Sequence, residues 1–189
     1  MEITEFFSNV KTPATILHVL SVVAGMGSAL ISDILFNFYS KDKHLNKTEQ
    51  KTLEILSKIV WISLIVISLS GIAIFLSDIE KYLASTKFLA KMTILGVLLV
   101  NGYLLNSYAW KHLLRPGFFT AKRESFARKI SFVGGAISVI SWLSVCALGV
   151  MDSLPFSYTH IIGLYGLIIL VGIFGALLLE NREFEQASK

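Results

Sequence analysis

Apolar positions along the chain fall into five runs whose polar interruptions gather at the ends: Ala14 to Phe38, Leu53 to Leu76, Phe88 to Tyr108, Ile130 to Met151 and Phe156 to Leu179. Each is long enough to cross a hydrocarbon core of about 30 Å as an α-helix. The pattern predicts an all-α integral membrane protein, a bundle of five transmembrane helices spanning residues 1–189 as a single domain, since the connections are short. The first run follows Glu2, Glu5 and Lys11 and has no small-residue cleavage site, so it is expected to remain as a helix rather than be removed as a signal peptide.

Composition supports the membrane class. Charged residues make up 16% of the chain and the mean hydropathy is +0.68, against roughly 25% charged residues in soluble domains. A formal charge of +4 could point to nucleic acid, but the basic residues flank the apolar runs, where topology explains them, and nucleic-acid binding is discarded. Thirteen of the seventeen Lys and Arg residues fall on one side, in the first and third connections and the C-terminal tail. That asymmetry predicts an N-terminus outside and a C-terminus in the cytoplasm, in the cytoplasmic (inner) membrane of a bacterium. Cys146 stands alone, which excludes an intramolecular disulfide, a CxxC redox pair and a thiolate cluster.

The connections carry little chemistry. In the first, Thr48 followed by Leu53 reads as a helix start, and His44 reads as solvated. In the third, Pro116 and Gly117 mark a break, after which Phe118, Phe119 and Phe126 are expected to rest on the inner headgroup layer, with His112 on the same surface. No repeat, phosphate loop, HExxH or GxSxG motif is present.

Ionisable groups inside spans are costly and therefore informative. Three stand out: His18, Lys91 and His160. All lie on helices expected to run from outside to inside, a few residues past the estimated starts Ala14, Phe88 and Phe156. At about 1.5 Å per residue they share a layer roughly 6 Å below the outer boundary. From His18, steps of three, four and seven reach Ser21, Val22, Gly25, Ser28, Ala29 and Ser32, a face of low bulk that admits either another helix or a flat ligand. The competing readings are plain: glycines as helix contacts, Lys91 snorkelling outward, and each histidine bonded to a neighbouring helix. Asp33 reads as a boundary residue, Asn101 and Asn106 as interhelical glue, and Ser63, Ser70 and Ser77 as a packing seam. Trp61, Trp110 and Tyr108 suit an inner aromatic belt, and Tyr82 and Tyr158 an outer one.

Zinc would want more ligands than this layer offers, and copper only Met92 as a nearby soft ligand. Haem b fits better. Its iron takes axial ligands from facing helices, here His18 and His160, and its propionates would pair with Lys91 or Lys87, with Gly25 allowing close approach.

The stretch "ILHVLSVVAGMGSALISDILF" resembles the first helix of the HemJ-type protoporphyrinogen oxidases and CopD-like membrane proteins, and "FLAKMTILGVLLVNGYLLN" is similar to their third. The likeness covers the first three spans. In HemJ-type proteins the first-helix histidine and this lysine are the functional pair and haem b is bound, which implies His18 and Lys91 here. The family's Trp- and Arg-rich end of the first helix is absent from "SDILFNFYSKDK", and His160 is not part of its pattern. The function expected is therefore membrane haem binding for electron transfer or redox sensing, with a quinone or outer-face carrier as partner. The alternatives are a porphyrinogen-oxidising enzyme, and a small-solute or metal transporter or non-catalytic subunit within a homo-oligomer or a larger membrane assembly.

Overall fold

The computed structural model describes the backbone of residues 2–41, 43–115, 117–151 and 155–187, with side chains described between residues 5 and 182. Pro116 and Asp152 lie outside the described residues. Seven helices are present among them: α1 (Glu2–Ser40), α2 (Lys47–Leu76), α3 (Ile79–Leu83), α4 (Thr86–Leu104), α5 (Trp110–Leu113), α6 (Ser125–Val150) and α7 (Tyr158–Ala187). A π-turn, Leu105–Ala109, joins α4 to α5 without interrupting the rod, and no strand occurs among the described residues. Five rods are thus long and apolar enough to cross a membrane. The protein is an all-α, multi-pass membrane bundle. Large apolar side chains such as Ile34, Leu69 and Phe174 stay exposed on its outer surface, where lipid would cover them.

Helix limits depart from the apolar runs for local reasons. α1 has 39 residues, about 58 Å of helix at 1.5 Å per residue, so it continues well past the apolar run and contains Pro13. α2 begins earlier than Thr48 because Asn46 and Glu49 form a reciprocal capping box: Asn46 Oδ1 accepts from Glu49 N at 2.9 Å, and Glu49 Oε2 accepts from Asn46 N at 2.8 Å.

The two ends of the bundle are built differently. At one, Ser8 Oγ donates to Ser77 O, Lys11 Nζ lies 6.0 Å from the Tyr82 ring centroid, and the Lys87 ammonium donates to the Met151 carbonyl. The start of α1 and the α2–α4 and α6–α7 links therefore share this end, as alternating crossings require. The other, basic end carries the connections 41–46 and 114–124. There the structure corrects the expected headgroup anchor: Phe118 and Phe119 are 2% and 7% exposed and pack with Leu53, Leu113 and Ala127, while only Phe126 faces out. Arg128 holds this fold in place. Its Nη1 donates to Phe118 O and Ala121 O at 2.8 and 2.9 Å, and its Nε donates to Glu180 of α7 at 3.1 Å, both side chains being buried.

Between the ends, α1 packs most extensively on α2, α4 and α7 pack on α6, and α1 also reaches α6. Ser21, Gly25, Ser28 and Ala29 form the buried stripe of α1. A Cβ on Gly25 would come 2.6 Å from Trp142 Cη2 and 2.9 Å from Ser63 Cβ. The space beside Gly25 is thus filled by protein, and this glycine is a three-helix contact rather than a surface open to a cofactor. Asn101 does serve as glue, its Nδ2 donating to Gly134 O of α6 at 2.9 Å.

Two predictions follow from this packing. Gly25→Ala should lower the detergent-solubilised unfolding free energy by about 1–3 kcal/mol through overpacking, whereas Gly27→Ala, which meets nothing within 4 Å, should leave thermal melting unchanged. Arg128→Ala should cost about 3–5 kcal/mol by stranding Glu180, and should make residues 114–124 the first segment cut in limited proteolysis.

Candidate functional site

The site nearest the expected chemistry lies at the end away from the basic loops. It starts from a serine. Ser70, buried on α2, donates its single hydroxyl proton to its own helix, 2.6 Å from Val66 O and 3.2 Å from Ile67 O. Its oxygen also faces α1, with His18 Nδ1 3.0 Å away. With the serine proton on the Val66 carbonyl, Nδ1 is the donor of this pair, and with that proton turned to the ring, Nδ1 is the acceptor. The first arrangement leaves the lone pair on Nε2, the state of a metal ligand or proton acceptor.

The surroundings keep the ring in place without crowding it. Gly71 follows Ser70, and a Cβ there would meet the ring at ordinary contact, 3.5 Å from Cε1. Lys91, half-buried on α4, is close enough for its charge to act on His18, and Lys87 one turn away acts in turn on Lys91. Among the described residues neither lysine forms an ion pair; Lys87 is anchored to the Met151 carbonyl. One imidazole hydrogen-bonded to a buried hydroxyl therefore lies within electrostatic range of a lysine, and neither this lysine nor Lys87 has a counter-ion among the described residues. That set can ligate a metal through Nε2 and hold an anionic substituent at the lysines.

His160 is placed elsewhere. It is exposed on α7, and its Nδ1 lies 2.6 Å from Ser157 Oγ, the hydroxyl that also accepts from the His160 backbone N–H at 3.5 Å. Ser157 precedes the helix and His160 sits three residues on, an arrangement that caps the start of α7. Among the described residues no hydrogen bond or ion pair joins His160 to His18 or Lys91, and no group of three or more His, Cys, Asp or Glu side chains gathers as a metal site. His112, at the basic end, meets the buried Glu124 at 2.6 Å with Arg115 and Arg123 alongside, so its role is to order the third connection.

Comparison of the chain with family models, curated proteins and solved structures finds no match.

Between His18 and Lys91 the described residues show no hydrogen bond, only the repulsion of like charges, and His160 and Gly25 have local structural roles. The structure adds Ser70, whose seven-residue spacing with Ser63 and Ser77 gives only a packing seam and no hint that one hydroxyl would meet an imidazole across the α1–α2 interface. Nitrogen-15 histidine NMR checks the tautomer: wild-type His18 should show a protonated Nδ1 in neutral, metal-free protein, and Ser70→Ala should give a mixture of tautomers.

Proposed function

We propose that the chain is a membrane b-type haem protein in which His18 is an axial ligand through Nε2 and Lys91 and Lys87 hold the propionates. The observation that carries this reading is the Ser70 hydroxyl 3.0 Å from His18 Nδ1: with its own proton on the Val66 carbonyl it accepts a hydrogen bond from Nδ1 and leaves Nε2 as ligand. A histidine that donates from its second nitrogen is the usual form of a metal-bound imidazole. The unpaired lysines support it from the other side, since two cations near a bundle end attract a dianion. Bound haem would supply one-electron chemistry. His18 would hold the iron and Lys91 and Lys87 the carboxylates, while the small-residue face of α1 keeps that helix tight on α2.

The resemblance of the first three spans to HemJ-type and CopD-like proteins agrees with His18 and Lys91 as the working pair. With the basic end in the cytoplasm of a bacterium, His18 and Lys91 lie toward the outer face of the inner membrane, where bound haem would be within reach of a quinone or an outer-face carrier. His160 is not needed as the second ligand in this arrangement; Lys91 is the nearer group. The same pair favours one further reading, an enzyme that binds a porphyrinogen by its carboxylates and oxidises it, and turnover of protoporphyrinogen by the purified protein would select it over simple electron transfer.

Absorption spectra of protein purified in mild detergent after haem-supplemented expression test the proposal. Wild type should show a Soret band that shifts on reduction, His18→Ala should lose it, and His160→Ala should keep it. A colourless wild type, or an unaltered band in His18→Ala, overturns the assignment.

A further inference from the structure

A second polar feature lies deeper in the bundle, between its middle and the basic end. A partly open cavity of about 160 Å³ is lined by α1, α2, α4, the π-turn, α5 and α6. Cavities of roughly 150 Å³ take up a benzene-sized molecule, so there is room for a ligand of a few heavy atoms as well as for water.

The lining has one ionisable side chain. Asp33 of α1 is the sole carboxylate, and no Lys, Arg or His contributes. Asp33 Oδ2 is inaccessible to solvent and has no hydrogen-bond partner. The opposing helix makes room for it: a Cβ at Gly135 of α6 would come 2.9 Å from Asp33 Oδ1. A second orphan shares the wall, the indole N–H of Trp142, on a side chain only 1% exposed. Buried polar atoms in native proteins almost always have partners; an indole N–H takes only an acceptor, whereas the Asp33 oxygen takes a donor, and it is the Asp33 orphan that points to a donating occupant. The π-turn adds to this, since its irregular winding turns Leu105, Asn106 and Ala109 all onto the cavity, and such turns recur at functional sites.

The chemistry of the wall selects the occupant. With no basic side chain on the wall, this carboxyl group suits a ligand that donates protons and brings the positive charge that would hold it ionised. The chain's three tryptophans, Trp61, Trp110 and Trp142, all line this one cavity, and indoles favour soft, poorly hydrated cations. Calcium or magnesium would demand six or so oxygen ligands, which one carboxylate amid indoles does not supply. We propose that the cavity is a binding site for a small organic ammonium ion, its N–H or N–CH groups on the Asp33 carboxylate and its carbon atoms against the tryptophan wall. The site goes beyond the haem reading and does not rest on it: it lies toward the opposite end of α1 and uses none of the same residues.

Because every tryptophan of the chain lines the cavity, intrinsic fluorescence reports on it without a label. The probe is n-propylammonium chloride, titrated into full-length protein in nanodiscs, with sodium chloride of equal ionic strength and 1-propanol as controls. The site predicts a saturable fluorescence change with the ammonium alone, matched by calorimetry, and at least tenfold weaker binding in Asp33→Asn, a near-isosteric change that keeps the helix melt. Should Asp33→Asn fail to fold, Gly135→Ala, which pushes directly on the carboxylate, should weaken binding in the same way. No saturable change in wild type, an equal response to sodium or propanol, or undiminished affinity in a folded variant of either kind overturns the proposal.

Discussion

The close approach of α1 to α2 is the constraint on which the rest of this bundle depends. Lipid gives apolar helices no reason to prefer one another, so their association rests on van der Waals fit and a few interhelical hydrogen bonds. Here the fit is set by Ser21, Gly25, Ser28 and Ala29 on α1 against Ser63, Leu64, Ile67 and Ser70 on α2, all buried. Trp142 of α6 closes the wedge at Gly25. The same seam that brings the backbones together carries the His18–Ser70 bond at one end and, continued along α1, opens onto Asp33 at the other. A bulkier residue in the middle would disturb both.

Charge is sorted along the membrane axis. Among the described residues, Lys87 and Lys91 at the His18 end have no acidic partner, and Asp33 in the deeper cavity has no basic one. Ionisable groups without partners in low dielectric are costly, and fold stability alone would favour apolar replacements at all three. The basic end shows what pairing looks like when structure is the purpose: Arg128 meets Glu180 and two carbonyls, and Glu124 meets His112 between two arginines. Set beside those satisfied networks, the unsatisfied groups read as places for ligands.

Periodicity and hydropathy make the five spans legible because membrane insertion is decided by local composition. Counting residues along parallel helices puts His18, Lys91 and His160 in one layer, but it says nothing of rotation about the helix axis or of which neighbours a helix packs on, and His160 turns to Ser157 on its own chain segment. Asp33 is misread as a boundary residue for the opposite reason. Its position near the end of the apolar run outweighs its phase, although Ala29, Ser32, Asp33 and Phe36 continue the small-residue stripe of α1 onto the cavity wall. Phe118 and Phe119 defeat local reading altogether: aromatic residues after a Pro-Gly break look interfacial, and only Arg128, reaching back to the carbonyls of Phe118 and Ala121, folds them inward. Contacts made across the bundle leave no local signature, and the Ser70 and Arg128 bonds are of that kind.

The central claim is that Ser70 orients His18 as an iron ligand, and the haem reduction potential addresses it most directly. Donation from Nδ1–H to the serine raises the basicity of the ligand and favours ferric iron. The potential should therefore rise in Ser70→Ala and stay at the wild-type value in Ser157→Ala, which removes the equivalent hydroxyl from His160. A potential that moves in Ser157→Ala but not in Ser70→Ala would contradict the account.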